Sequence, residues 1–195
     1  MKALAVIDRY YPDDSELRRL LLHHSWQVAL RALRCAAAHP ELHVDRALLL
    51  KGALLHDVGV FATHAPSIHC HGRHHYLLHG LIGGHLLRAL GLEAEARICE
   101  RHTGTGLPPQ TVAALLDADL DAAIQIDAHK TALITEPETV EEQIVCYADK
   151  FYSKSRSGEV LTFEQAHASL LRFGREGAAK FAEWHRRFTI NEDIG

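Results

Sequence analysis

The feature that most constrains the fold of this chain is a helical hydrophobic period that recurs in nearly every segment. Apolar residues follow one another at steps of three and four, as they do on one face of an α-helix. No segment alternates between apolar and polar residues for long, as a half-buried strand would. The pattern therefore predicts an all-α fold.

Capping residues divide this pattern into separate helices. A cap at Asp13–Ser15 begins the first and Asp45 begins the second, while Gly91 ends the third. The predicted helices run from the first cap to about Ala38, from Asp45 to Gly59, from Tyr76 to Leu90, from Glu93 to His102, from Glu138 to about Lys154, and as one long helix from Thr162 to about residue 190. The segment from Thr111 to Glu136 predicts only a short helix near Val112 to Leu116, followed by irregular chain.

Length and composition predict one domain over residues 1–195. The chain has 195 residues, of which 47% are hydrophobic and 24% charged, a balance that excludes disorder. A formal charge of −4 argues against a dedicated nucleic-acid binder. No stretch of 18 apolar residues exists, and the apolar run Ala3–Ile7 is too short for a secretory signal. We therefore expect a cytoplasmic protein with four reduced cysteines, no membrane partner, and a monomeric or homodimeric state.

Histidine is the one residue type out of proportion, with 16 copies in the chain. Imidazole is the commonest metal ligand and the natural acid–base group near neutral pH. Five histidines fall in a polar loop, at positions 64, 69, 71, 74 and 75. We expect this loop to face solvent.

Other histidines fall on the apolar faces of predicted helices. His24 has Leu20 and Val28 as its neighbours at i−4 and i+4, so it points to the core. His56 and Asp57 close the most hydrophobic helix. Burial and the helix dipole both disfavour an anion there, so Asp57 requires a compensating cation.

Three further polar residues are predicted to turn inward from other helices: His79, His102 and Asp149. The set then has four imidazoles, two carboxylates and no thiolate, which suits Fe, Mn or Co better than a structural Zn. Mg and Ni are further alternatives. Six ligands are too many for one ion with open positions, and enough for two.

The order His…His-Asp…His…His…Asp resembles the HD superfamily of metal-dependent phosphohydrolases. The resemblance is carried by His24, by His56-Asp57 within Leu-Leu-His-Asp-Val-Gly, and by Asp149 within Tyr-Ala-Asp-Lys. His79 and His102 match the subset of the superfamily with two metals. The surrounding segments are similar to small uncharacterised bacterial and archaeal HD proteins and to HD hydrolases that split diadenosine tetraphosphate symmetrically. The implied architecture is a single-domain HD-type helical bundle, with a metal-binding core over about residues 17–155.

Three departures narrow the resemblance. Val60 stands where many relatives place a phosphate-binding Lys after His-Asp-Ile-Gly. Thr103 and the turn Gly106–Pro108 differ from the pattern of the cyclic-dinucleotide phosphodiesterases. Acidic residues typical of (p)ppGpp hydrolases are absent from Gly59 to Thr63.

The resemblance implies that Asp57 bridges two ions, with His24, His56 and Asp149 on one and His79 and His102 on the other. A hydroxide between the ions would attack a phosphate ester or anhydride of nucleotide type. Basic residues near the site are the candidate phosphate contacts. The predicted catalytic residues are Asp57, Lys150 and Arg101, and the predicted substrate-binding residues are Lys51, Arg73, Lys150 and Lys154.

Two other functions remain open from the sequence. Some members of the superfamily with these ligand types are mixed-valent di-iron oxygenases, and the ligands alone do not separate the two classes. A non-catalytic nucleotide-sensing module is the third candidate.

Overall fold

The fold is known from a computed structural model that describes residues 1–125, 134–155 and 159–190. The described residues form ten α-helices and one two-stranded hairpin, which confirms the predicted all-α class. The helices are α1 (Ala3–Tyr10), α2 (Glu16–Ala38), α3 (Arg46–Leu55), α4 (His79–Ala89), α5 (Glu93–Arg101), α6 (Pro109–Ala118), α7 (Leu120–Gln125), α8 (Val140–Asp149), α9 (Phe163–Leu171) and α10 (Arg175–Phe188). The strands β1 (His64–Ala65) and β2 (Cys70–His71) pair antiparallel.

Side-chain caps begin the helices that carry the site. The Ser15 hydroxyl accepts from the third amide of α2, and the Asp45 carboxylate accepts from two amides of α3. Thr139 and Glu142 form a capping box at the start of α8. These caps satisfy first-turn amides that have no partner within their helix, so they fix where each helix begins.

The main core lies between α2, α3, α5 and α8, with α10 covering its far side. The helices α4 and α5 lie unusually close to each other. A Cβ on Gly80 would lie 2.7 Å from the Cys99 carbonyl oxygen, and one on Gly83 would lie 2.6 Å from the Cys99 Sγ. Glycine at these two positions therefore lets the two backbones approach, which brings the ends of both helices to one point.

The structure differs from the sequence prediction at both ends of the chain. The short helix α1 was not predicted. The long helix predicted over residues 162–190 is wrong, because the chain breaks it between α9 and α10 at Gly174, whose φ is +143°. Phe173 lies at this break and is 87% exposed.

Smaller differences occur between the predicted helices. The helix predicted from Tyr76 to Leu90 begins with a 3₁₀ turn over Tyr76–Leu78, and α4 follows this turn. The segment predicted as largely irregular holds α6 and α7, and its residues 126–133 lie outside the described residues. All four cysteines are buried, and none of them forms a disulfide in the described part of the chain. No described helix is long and apolar enough to cross a membrane.

Candidate functional site

Five helices each bring one or two polar side chains to a single buried cluster. His24 lies within α2, His56 and Asp57 directly follow α3, and His79 begins α4. His102 directly follows α5, and Asp149 is the last residue of α8. All six are at most 8% exposed. The structure therefore brings together every metal ligand predicted from the sequence.

Asp57 lies at the centre of the cluster, with its two oxygens facing opposite pairs of imidazoles. Its Oδ2 lies 3.3 Å from the Nε2 of both His24 and His56. Its Oδ1 lies 3.1 Å from His79 Nε2 and 3.3 Å from His102 Nε2. Both oxygens are buried, and apart from the ion pair between Oδ2 and Lys154, neither has a partner in hydrogen-bond geometry among the described residues. This is the arrangement expected of a carboxylate that bridges two cations.

Asp149 joins only one side of this arrangement. Its Oδ1 lies 3.0 Å from His24 Nε2 and 3.5 Å from His56 Nε2. One half of the cluster therefore has two imidazoles and two carboxylate oxygens, and the other half has two imidazoles and one oxygen. The two halves share Asp57.

Three of the histidines are oriented by the same device. In each, Nδ1 lies 2.6 Å from the carbonyl oxygen three residues earlier, which can only accept, so Nδ1 carries the proton. When the ring is neutral, Nε2 then presents its lone pair to the cluster. The pairs are His56 with Ala53, His79 with Tyr76, and His102 with Cys99. Such an outer hydrogen bond is typical of metal-binding histidines.

The tethers leave two lone pairs facing each other. The Nε2 atoms of His79 and His102 lie 3.0 Å apart, and both face Asp57 Oδ1. Three electron-pair donors around one point repel each other unless a cation lies between them. The donor set, imidazole nitrogen with carboxylate oxygen and no thiolate, fits Fe, Mn, Co, Ni or Zn. The residues therefore fit a metal ion on each side of Asp57.

Charge balance keeps both carboxylates ionised. Burial alone would raise their pKa values, but His56 and Lys154 beside Asp57, and Lys150 and Lys154 beside Asp149, hold the pKa of each carboxyl well below its usual range. The cluster therefore keeps two negative charges at neutral pH.

The imidazoles respond to the same environment in two directions. Burial lowers the pKa of His102 to about 3, and burial together with the nearby Lys154 lowers the pKa of His24 to about 4. Burial also acts to lower the pKa of His56, but Asp57 and Asp149 outweigh it and raise the value to about 9. His24 and His102 are therefore neutral near pH 7, the state required of a metal ligand.

Two of the predicted cations lie at the cluster. Lys154 Nζ lies 2.7 Å from Asp57 Oδ2, and Lys150 Nζ lies 2.5 Å from Asp149 Oδ2. Each side chain is 14% exposed, so both ammonium groups lie at the edge of the buried site. Tyr76, which was not among the predicted site residues, lies beside Lys154 and has its ring centre 4.7 Å from that of His79. Its position three residues before a predicted ligand was the available signal.

Three other predicted cations are held by carboxylates outside the cluster. Lys51 pairs with Glu95, and Arg73 is an exposed partner of Asp121. Arg101 is buried against Glu138 and Glu142, and so links α5 to the start of α8. The structure does not bring these three residues to Asp57 or Asp149.

The turn that carries His56 and Asp57 packs against α4 without space for a side chain. A Cβ on Gly59 would lie 2.2 Å from the His79 carbonyl oxygen and 2.5 Å from the Gly83 amide nitrogen. This contact between backbones fixes the distance between the two halves of the cluster. It is the structural reason for the glycine in His-Asp-Val-Gly.

Comparison with known proteins assigns this cluster to a family. The sequence model described as "HD domain" matches residues 21–153, which include all six clustered residues. The chain belongs to the HD-domain family. The predicted resemblance is confirmed, and with it membership of a superfamily of metal-dependent phosphohydrolases.

Two curated relatives of this HD domain span more sequence than it does. A tRNA (cytidine(56)-2'-O)-methyltransferase of Picrophilus torridus is 29% identical over 161 residues, which cover 76% of this chain and 38% of the relative. An uncharacterized protein of Methanocaldococcus jannaschii is 30% identical over 129 residues, covering 66% of this chain and 62% of the relative. The chain thus spans between about two fifths and three fifths of these relatives. No solved structure gives a significant match.

Proposed function

We propose that this HD domain hydrolyses a phosphate ester or anhydride of nucleotide type, using two metal ions held on either side of Asp57. The observation that carries the proposal is the division of the Asp57 oxygens between two pairs of imidazoles. His24, His56 and Asp149 would complete one side, and His79 and His102 the other. Fe or Mn is the preferred metal, because the ligands mix nitrogen with hard carboxylate oxygen.

Two bound ions would supply Lewis-acid stabilisation of the phosphoryl oxygens and a water of lowered pKa. The residues of the chain supply the rest. The imidazole tethers and the Gly59 contact set the spacing of the two halves of the cluster before substrate binds. Binding therefore carries no free-energy cost for organising the ligands. Burial of the six ligands excludes other water from the cluster.

Lys150 and Lys154 are the proposed phosphate contacts. Both lie at the edge of the cluster with their ammonium groups against its carboxylates, and Tyr76 lies beside Lys154. We give them this role in preference to Lys51, Arg73 and Arg101, which are paired elsewhere. A charge-assisted hydrogen bond to phosphate contributes about 1.5–3 kcal/mol.

Substitution at Lys154 tests the phosphate role. Lys154→Met should lower kcat/KM by about 10- to 100-fold, the loss of one such hydrogen bond. Lys180→Met is the matched control, because Lys180 is a partly exposed lysine paired with Glu136 outside the cluster. Metal content should be measured on both variants, so that a loss of metal is separated from a loss of phosphate binding. Equal kinetics in the two variants would remove Lys154 from the proposal.

The reaction class is tested by excluding oxygen and changing the metal. Hydrolysis needs no change of oxidation state, so stripped protein reloaded with Mn should release phosphate or a nucleoside phosphate under nitrogen. Nucleoside phosphates and dinucleoside polyphosphates are the first substrates to assay, because the sequence resemblance points to them. An oxygenase must cycle iron and consume O₂, so both treatments would abolish it. Uptake of O₂ in step with turnover, with inactive Mn protein, would replace the hydrolase by the di-iron oxygenase.

If the protein is a nucleotide-sensing module, the same assays should give a third result. It would bind nucleotide and metal without turnover under either atmosphere.

A further inference from the structure

The hairpin formed by β1 and β2 carries histidines that the buried cluster does not use. Four of the five loop histidines are exposed, as predicted, and His74 is the exception, because it is buried with its Nδ1 2.8 Å from Asp119 Oδ2. His69 pairs with Glu16, and His75 accepts a hydrogen bond from the Leu77 amide. His64 and His71 remain, and neither imidazole has a hydrogen-bond or ion-pair partner among the described residues.

Strand register places His64 and His71 directly opposite each other. The Gly72 amide donates to the Thr63 carbonyl, one position outside the pair, so the pair itself is of the non-hydrogen-bonded kind. In such a pair the two Cα atoms are about 4.5 Å apart and the side chains are at their closest. The two imidazoles therefore share one face of the hairpin.

Pleating directs this face to solvent. Cys70, next to His71 on β2, is fully buried, so His71 points the opposite way, and the register gives His64 the same direction. Both histidines are exposed. The pair is accessible to an ion in solution without any rearrangement of the core.

Contacts around the hairpin hold the pair in place. The His64 amide donates to the His74 carbonyl at 2.8 Å, and His74 is anchored to Asp119 by its side chain. A Cβ on Gly72 would lie 2.2 Å from the Ala62 carbonyl carbon, so this part of the hairpin packs directly on the preceding backbone. The two imidazoles are thus positioned by the fold and not by each other.

We propose that His64 and His71 form a second, exposed site for one transition-metal cation, separate from the cluster around Asp57. Two imidazole nitrogens with water in the remaining positions suit Ni²⁺, Cu²⁺ or Zn²⁺, and Cu²⁺ binds such donors most tightly among these ions. Hard cations such as Mg²⁺ and Ca²⁺ prefer oxygen and are not bound.

Retention on an immobilised Ni²⁺ resin tests the site on untagged protein, because the buried cluster cannot reach the resin. His64→Ala and His71→Ala should each lower the retention constant by about tenfold, since two linked ligands bind far more tightly than one. The double variant should lose little more than either single variant. His43→Asn is the control, because it removes an exposed histidine elsewhere and asparagine tolerates the positive φ of that position.

Calorimetric titration gives the second measurement. Protein already loaded at the buried cluster should bind one further Ni²⁺, and the double variant should lose this event while its resident metal content stays unchanged. Equal retention of wild type and double variant, or an equal loss in the His43 control, would overturn the proposal. The outcome is independent of whether the protein is a hydrolase.

Discussion

Removal of the Asp57 carboxylate should release both metal ions at once. Asp57→Ala takes away the only group in the cluster that faces all four imidazoles. Loss of an outer hydrogen-bond partner already costs about 10- to 100-fold in metal affinity, so loss of a shared ligand should cost each ion at least 100-fold, or about 2.7 kcal/mol. His102→Ala is the comparison, because His102 contacts only one side of Asp57.

The same variant should also lower the stability of the metal-stripped protein. Coulomb's law at an effective dielectric constant of about 20 gives an attraction of about 6 kcal/mol for Lys154 Nζ and Asp57 Oδ2 at 2.7 Å. Breaking a buried pair by removing one partner costs about 3–5 kcal/mol after solvation is included. Asp149, 3.8 Å from the same ammonium, keeps part of the attraction, so we expect the lower end of this range.

The assay is elemental analysis of purified protein with urea unfolding of the same samples. Wild type should carry close to two ions per chain, His102→Ala close to one, and Asp57→Ala almost none. Circular dichroism must first show that each variant is folded. The reasoning is refuted if Asp57→Ala, when folded, keeps as much metal as His102→Ala, or if wild type holds one tetrahedral zinc and no second ion.

Three further predictions follow from the same geometry. Gly59→Ala should destabilise the protein by about 1–3 kcal/mol through overpacking and should also lower its metal content. Gly91→Ala is the control, because Gly91 has φ +72° and open space around it; it should cost about 1–2 kcal/mol of backbone strain and leave the metal content unchanged. Urea unfolding and elemental analysis measure the two effects. The joint variant His69→Ala with His71→Ala should keep turnover within a few-fold of wild type, because both side chains are exposed, and a loss of 100-fold would place them at the substrate. Metal-stripped protein should lose stability as the pH falls below about 6.5. The folded-state pKa of His102 is about 3, so between about pH 6.5 and pH 3 the unfolded chain binds a proton at this residue that the folded chain does not. A urea midpoint that does not change between pH 7 and pH 5 would contradict this.

Local signals explain which parts of the fold were predictable. Helices α2 and α3 lie where capping residues and apolar spacing agree, and Ser15 and Asp45 cap them as expected. The break before α10 was missed because apolar steps of three and four continue across Gly174, so the period carries no sign of the turn. Helix α1 was missed because Asp8 and Arg9 interrupt its apolar run, although they lie on its exposed face.

The site divides in the same way. Its buried ligands were predictable because a His or Asp on an apolar helix face is costly to bury unless a cation or a hydrogen bond compensates it. The phosphate contacts were not predictable, because a lysine or arginine side chain reaches several ångströms and its partner depends on the fold. Lys51 and Lys154 look alike in sequence, yet one meets Glu95, 44 positions along the chain, and the other meets Asp57.

The tethers on His56 and His102 have a consequence for the comparison of related sequences. Each of these histidines donates to a carbonyl in the last turn of its helix, where carbonyls have no partner within the helix. They are therefore helix caps as well as candidate ligands, and a relative that had abandoned metal would still gain stability by keeping them. His24 makes no such bond, since its buried Nδ1 has no partner among the described residues. In a relative without metal, His24 should be the first of the imidazole ligands to be replaced, so this position distinguishes the relatives that retain metal.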